Sequence, residues 1–280
     1  MEYPKVDVLI PTYNRRSALA VLLTSLIAQT FPDFAIHISD QGKHKSPEKC
    51  AELNAVIRVL ESHRIPVQAT THVPRRGMAE QRQYLLDQAT APLALFLDDD
   101  LILEPYVIEN LVQAMHEEKC GFVGSGLIGL SYANDHRPDE QTLEFWDGPV
   151  LPEVVRPNTP EWDRYRLHNA ANLLHVQQQL GITPQHPRKY KVAWVGGCVL
   201  YDTQKLRSIG GFSFWKDLPR HHAGEDVVAQ LRVMSVYGGC GLLPSGVYHQ
   251  ELPTTVQDRR TDAPRVLETS MAPPVNERGE

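Results

Sequence analysis

Apolar residues in this chain recur with two periods, and the two alternate. Short apolar runs of strand length stand at Val6–Ile10, Phe34–Ile38 and Leu93–Leu97, and a short strand is also expected over 66–71. Between them lie stretches spaced by three and four. Leu19, Leu22, Leu23 and Leu26 form the first, over about 17–29 with Ser17 as its expected N-cap. Ala51, Ala55 and Val59 mark a second helix from about Pro47 to Ser62. Further helices are predicted over about 78–88 and 105–117. Strand and helix in alternation predict an α/β fold: a mostly parallel central sheet with helices on both faces.

Beyond Gly121–Gly126, read as another strand, the pattern weakens. Gly124 to Gly129 matches G-x-G-x-x-G, but residues 130–136 do not read as a helix, so a dinucleotide fingerprint is rejected. From about 131 to 191 prolines recur; one helix is expected over 161–180, ended by Gly181. Trp146, Trp162 and Tyr165 in this excursion are read as packing residues before sugar-stacking ones. Regular structure returns as a strand over 192–201, and Asp202 caps a short helix over 203–209, ended by Gly210-Gly211. A loop holding Trp215, Lys216, Arg220, His221 and His222 precedes Gly224-Glu225-Asp226 and a helix. The last strand is expected over 241–248, with His249 just beyond. Residues 1–252 read as one domain, in halves of 1–128 and 129–252, and 253–280 as a polar, loosely held tail.

Composition narrows the partners. The chain has 280 residues, 42% hydrophobic and 22% charged, with a net charge of −6 and a pI near 6.1. That balance argues against a nucleic-acid surface, which needs basic excess. Cys50, Cys120, Cys198 and Cys240 form no C-x-x-C pair and read as free thiols of a reducing, cytoplasmic setting. Arg15-Arg16 before an apolar run loosely mimics a secretory signal, but the preceding β-like run favours an amphipathic helix. No transmembrane segment is expected; peripheral membrane association stays open.

The chemistry gathers at Asp98-Asp99-Asp100, where the strand 93–97 ends abruptly. Two unit charges about 4 Å apart repel by roughly 4 kcal/mol at an effective dielectric of ~20. The triplet therefore needs a cation or donor groups, and hard oxygen ligands suit Mg2+ or Mn2+. Alternation would turn Asp98 and Asp100 one way and Asp99 the other. Thr12, Tyr13, Asp40 and Arg76 also follow predicted strands. In parallel sheets ligands bind beyond the carboxyl ends of the strands, so these residues converge on one edge.

Val8 to Arg15 (Val-Leu-Ile-Pro-Thr-Tyr-Asn-Arg), Asp40-Gln41-Gly42, Leu97-Asp98-Asp99-Asp100, Gly210-Gly211-Phe212 and Gly224-Glu225-Asp226 together resemble, in order and spacing, the motifs of family 2 glycosyltransferases with the GT-A fold. The resemblance spans about residues 5–250 and implies a Rossmann-like GT-A domain. It implies an inverting, metal-dependent transfer from a nucleotide-diphosphate sugar, UDP-linked by default, to a glycan or other acceptor hydroxyl. It places the nucleotide at Pro11, Thr12, Tyr13, Asp40, Arg76, Asp98 and Asp99. Asp100 and His249 would ligate Mn2+ or Mg2+, and Asp226 would be the base, with Glu225, Arg220, His222 and Gly197 supporting. No Q-x-x-R-W motif is present, which favours single addition over processive synthesis. Two other classes remain open on sequence: a sugar-nucleotide pyrophosphorylase, whose glycine-rich signature is replaced here by Pro11-Thr12-Tyr13-Asn14, and a non-catalytic nucleotide- or glycan-binding module of the same fold.

Overall fold

The computed structural model describes residues 5–42, 50–254, 256 and 260–267. Strand β1 (Val6–Thr12), helix α1 (Arg16–Ile27), strand β2 (Phe34–Asp40), helix α2 (Ala51–Ser62), strand β3 (Val67–Thr71), helix α3 (Met78–Gln88) and strand β4 (Leu93–Leu97) follow in turn. β1 lies between β2 and β4, β3 pairs with β2, and all four run parallel. Side chains alternate along β1. Val6, Val8 and Ile10 pack in a layer with Leu19, Leu22, Leu23 and Leu26 of α1, whereas Leu9 packs in the opposite layer with Leu85 and Leu86 of α3. Two apolar layers therefore sandwich the sheet. α1 starts at Arg16 with no side-chain cap, so the expected Ser17 cap is not formed. The start expected for α2 at Pro47 lies outside the described residues.

The second half is mixed. Strand β5 (Leu101–Leu103), helix α4 (Val107–Glu118), strand β6 (Phe122–Gly124), helix α5 (Asn172–Gln179), strands β7 (Arg188–Tyr190) and β8 (Cys198–Asp202), helices α6 (Thr203–Ser208) and α7 (Glu225–Tyr237), strands β9 (Gly239–Leu243) and β10 (Val247–His249) and helix α8 (Ala263–Val266) complete the order. The large sheet runs β3-β2-β1-β4-β8-β6-β9-β7. β8 is antiparallel to both β4 and β6, and β7 is antiparallel to β9. β5 and β10 form a separate antiparallel ribbon with His249 opposite Leu101, which carries His249 to the acidic triplet.

Several expectations change for local reasons. The helix expected over 161–180 is a 3-10 run, Trp162–His168, followed by α5; between them Ala170 takes a left-handed φ of 52°. The strand expected over 241–248 divides at Pro244-Ser245-Gly246, because Gly246 (φ 67°) turns the chain into the β5 ribbon. Residues 260–267 are not loosely held. Ala263 and Leu267 are buried, α8 packs on α7, and Ala223 donates its N–H to Thr261 while its carbonyl accepts from Ala263. That pairing clamps the start of α7. β7, which was not expected, adds an edge strand. Cys120, Cys198 and Cys240 are buried, Cys50 is half-buried, and all four are free thiols.

The strand expected over 192–201 forms only from Cys198. Gly196-Gly197 breaks it, with Gly197 at φ 71°. Upstream, the buried Gln230 amide of α7 takes the place of a strand neighbour: its Oε1 accepts from Val195 N–H (2.7 Å) and its Nε2 donates to the Val195 carbonyl (2.8 Å). Replacing Gln230 by Ala strands a buried donor and a buried acceptor together. Gln230→Ala is expected to lower the unfolding free energy by roughly 2–4 kcal/mol, read by urea denaturation; a change within experimental error would show that water satisfies Val195 instead.

Candidate active site

The site begins at paired strand ends. β1 and β4 are neighbours in parallel register, Leu9 beside Phe96, so the turns after them meet. Thr12 Oγ1 donates to Asp99 Oδ2 at 2.6 Å. Arg15 Nη1 donates to Asp99 Oδ1 at 3.2 Å and to Asp100 Oδ2 at 2.5 Å. His249 Nε2 lies 3.3 Å from the same Asp100 oxygen. The Asp98 N–H donates to the Gly197 carbonyl at 2.9 Å. A Cβ on Gly197 would lie 2.7 Å from Leu127 and 3.2 Å from Asp98 Oδ2. Its left-handed backbone and this close approach both call for glycine.

α3 braces these ends from one side. Gln81 Nε2 donates to the carbonyls of Thr12 (3.1 Å) and Ser39 (2.6 Å), fastening β1 to β2 at their carboxyl ends. Glu80 accepts from Gln41 and faces His72 Nε2 at 2.8 Å. One residue on, the buried Arg82 bridges two acids: Nη2 to Asp98 Oδ1 at 2.8 Å and Nε to Glu225 Oε1 at 3.1 Å. Gly224 (φ 79°) turns the chain so that Glu225 and Asp226 open α7. Acidic residues suit a helix's first turn because of its dipole.

Together these groups line a cavity of about 260 Å³ that holds five carboxyl groups, Asp98, Asp99, Asp100, Glu225 and Asp226, with Arg15, Arg82 and His249. Burial, then the Glu225 and Asp98 charges, raises the Asp226 pKa to about 7 against the opposing pull of Arg82. Burial, helped by Asp100 and Asp98, raises Asp99 to about 6, although Thr12 and Arg15 oppose it. Burial would raise Asp100 too, but the hydrogen bond and charge of His249, with Arg15, hold it below its usual value. The same Asp100 contact raises His249. Arg82 would be lowered by burial, yet Asp98, Glu225 and Asp226 raise it, so it stays cationic. The cavity thus holds Asp100 below its usual range while burial lifts Asp226 to about 7.

Not every residue expected at the site lines this cavity. Asp98, Asp99, Asp100, Tyr13, Glu225, Asp226 and His249 do. Thr12 reaches it through Asp99, and Pro11 is buried in β1, opposite Ser39. Asp40 is buried to the side, opposite Thr12 in register; its Oδ1 accepts from Gly42 N–H at 2.7 Å, and Arg16 lies 3.8 Å from its other oxygen. Arg76 is exposed beside Trp215, whereas Arg75 stacks on the Tyr13 ring at 3.8 Å. Arg220 and His222 line a smaller neighbouring cleft with Tyr13, Gln41 and Arg75. His222 is held rather than loose: its Nε2 accepts from Ala79 N–H at the start of α3 (3.2 Å) and its Nδ1 donates to the Pro219 carbonyl (2.8 Å). Burial lowers its pKa, which keeps the acceptor nitrogen unprotonated.

Arg15, Gln81 and Arg82 are the site residues that sequence reasoning missed. Arg82 had a signal: it lies three residues from both Ala79 and Leu85 on the apolar side of α3, where a charge must find a partner. Arg15 stands inside the first motif, but no spacing rule tells which carboxylate it meets.

The donor set suits a hard divalent cation. Among the described residues no three His, Cys, Asp or Glu side chains form a complete metal shell. Mg2+ and Mn2+ do not require one, since they are commonly held by one or two carboxylates with substrate phosphates supplying further oxygens. Asp100 and His249, which the motif resemblance implies as ligands, both face the cavity and lie 3.3 Å apart.

The Glycosyl transferase family 2 model matches residues 7–175. An uncharacterized glycosyltransferase of Haemophilus influenzae is 28% identical over 131 residues, 43% of this chain and 41% of that protein. The GalNAc(5)-diNAcBac-PP-undecaprenol beta-1,3-glucosyltransferase of Campylobacter jejuni is 28% identical over 127 residues, 45% of this chain and 39% of the relative. Among solved structures, S. aureus TarS 1-349 in complex with UDP-GlcNAc superposes with a TM-score of 0.58 at 15% identity, covering 90% of this chain and 60% of that one. The mannosyltransferase PcManGT from Pyrobaculum calidifontis in complex with GDP-Man and Mn2+ gives 0.54 at 16% identity, covering 91% and 59%. These two share the fold, GT-A in kind, and the chain spans well under two thirds of the length of the relatives quoted. By its sequence motifs, its family match and its fold, the chain belongs to glycosyl transferase family 2.

Proposed function

We propose that this chain transfers a sugar from a nucleoside-diphosphate donor to an acceptor hydroxyl, with inversion at the anomeric carbon. The observation that carries the proposal is that Asp226 and the Asp100–His249 pair open on one cavity. The named donors of the two structural neighbours, UDP-GlcNAc and GDP-Man, support a nucleotide-sugar donor, and a UDP-sugar is the favoured choice. The Mn2+ with PcManGT supports a divalent cation at Asp100 and His249. The work takes place in one domain that also includes residues 260–267, packed on α7, with the nucleotide held by the half 1–128.

Each residue has a task that its chemistry suits. Thr12, Tyr13 and Asp40 bound the nucleotide side, Asp40 accepting a ring N–H of the base; Arg75 on Tyr13 suits that side better than the exposed Arg76. When bound at Asp100 and His249, Mn2+ or Mg2+ supplies Lewis-acid neutralisation of the diphosphate leaving group. Asp226 accepts the acceptor hydroxyl's proton as the oxygen attacks the anomeric carbon and the diphosphate departs from the opposite face. One base suffices for that displacement, so no second carboxylate serves as nucleophile. Arg82 keeps Asp98 and Glu225 in place and offsets their repulsion of an ionised Asp226.

Asp226→Asn removes the base and little volume. It is expected to lower kcat by about 10²- to 10⁴-fold while nucleotide binding persists; wild-type turnover in the variant would sink the assignment. Because Asp226 must be ionised to accept a proton and its pKa is raised to about 7, kcat/KM is expected to rise with pH through that value and level off above it. A pH profile already flat well below neutrality would contradict the role. Asp100→Ala is expected to abolish the Mn2+-dependent part of the thermal shift given by a panel of UDP, GDP, dTDP and CMP, and an unchanged metal response would place the cation elsewhere.

A further inference from the structure

Arg15 is tied into the site more closely than any role above requires. One nitrogen, Nη1, bridges Asp99 and Asp100, at 3.2 and 2.5 Å. The other terminal nitrogen, Nη2, donates to the carbonyl of Pro253. The side chain is only 16% exposed. Leu252 and Thr254, on either side of Pro253, line the same cavity as the triplet. Asp100 Oδ2, the oxygen that Arg15 holds, is also the one facing His249. A single guanidinium therefore links the cation seat to the chain that borders the cavity.

We propose that Arg15 is a resident counter-cation of the acidic triplet, which a divalent metal must displace from Asp100, and that the exchange frees the chain at Pro253 from the cavity. The inference rests on the metal seat proposed above. It follows from occupancy and charge. A divalent cation at Asp100 Oδ2 would meet a guanidinium nitrogen only 2.5 Å from that oxygen, and two positive groups at one oxygen repel. Without Arg15, the side-chain partners of the three adjacent carboxylates among the described residues would be Arg82, Thr12 and His249. With a metal present that need disappears. Arg15 then becomes a planar two-pronged donor beside an arriving diphosphate, a geometry guanidinium groups recognise well. It starts from the residue just before α1, so a change of side-chain rotamer is sufficient.

Linkage makes the consequence measurable without any sugar transfer. If metal and guanidinium compete, removing the guanidinium must tighten metal binding, and metal must loosen what the guanidinium holds. Mn2+ binding is followed by the electron paramagnetic resonance of free Mn2+, with no nucleotide present. Hydrogen exchange is followed in the peptide covering residues 250–254. Arg15→Gln is expected to bind Mn2+ roughly 5- to 150-fold more tightly than the wild type. Mn2+ is expected to speed exchange of that peptide in the wild type, and Arg15→Gln to show the fast rate without metal. Arg15→Lys, which keeps the charge but not the fork, is expected to hold Mn2+ affinity near the wild-type value while exchanging fast; it serves also if the Gln variant fails to fold. Equal Mn2+ affinity in wild type and Arg15→Gln, or exchange in the wild type that Mn2+ does not alter, would overturn the proposal and leave the metal seat standing. Absence of Mn2+ binding to every variant, with UDP present as well as without it, would overturn the seat, and the exchange with it.

Discussion

Carboxylate repulsion is the constraint around which this molecule is arranged. Five acidic groups border one small cavity, and each ionised pair at close range costs several kcal/mol unless met by positive charge or hydrogen bonds. The fold meets that need with donors from separate elements. Arg82 on α3 spans Asp98 and Glu225, Arg15 before α1 spans Asp99 and Asp100, and Thr12 at the end of β1 donates to Asp99. Arg82 reaches its acids from α3, which is itself pinned to the strand ends by Gln81. Burial is the largest influence on Asp226; the charges of Glu225 and Asp98 add to it, and Arg82, engaged with those two acids, opposes them only in part, so its proton affinity rises. The asymmetry that suits a base thus comes from burial together with where Arg82 is spent.

Much of this was legible in the sequence. The order of strands and helices through β4 is legible in the sequence, with α3 and β4 matching their expected bounds, because buried parallel strands are continuous apolar runs and their crossover helices keep a clear apolar stripe. The acidic triplet and Asp226 were likewise visible, as charges standing where an apolar run stops or a helix begins. What escaped the reading was set by side chains acting as backbone partners or by contacts far apart in sequence. Gln230 stands in for a strand neighbour of Val195, so an apolar run read as a strand became a loop. Ala263 and Leu267 are core residues inside a polar stretch, too sparse to produce a periodic signal. Arg15 and Arg82 could be seen as charges near apolar residues, but only the folded chain shows which acids they join.

The region 130–190 illustrates the same limit from the other direction. Two of its aromatic residues pack on Trp194 just beyond it: Tyr165 stacks with centroids 5.4 Å apart, and Trp162 lies at 4.7 Å. All three lie against the apolar layer that contains Leu9 and α3. The packing reading of Trp162 and Tyr165 therefore matches their surroundings. Among the described residues no helix is long and apolar enough to cross a membrane.

On the proposed function the triplet, with His249, seats the diphosphate of a nucleotide donor within reach of Asp226. Anomalous X-ray scattering from a crystal grown with Mn2+ and UDP is the decisive measurement. A manganese peak is expected at Asp100, His249 and the diphosphate oxygens, with the uracil beside Tyr13 and Asp226 facing the vacated sugar position. A manganese peak away from Asp100, or a nucleotide bound outside this cavity, would contradict it.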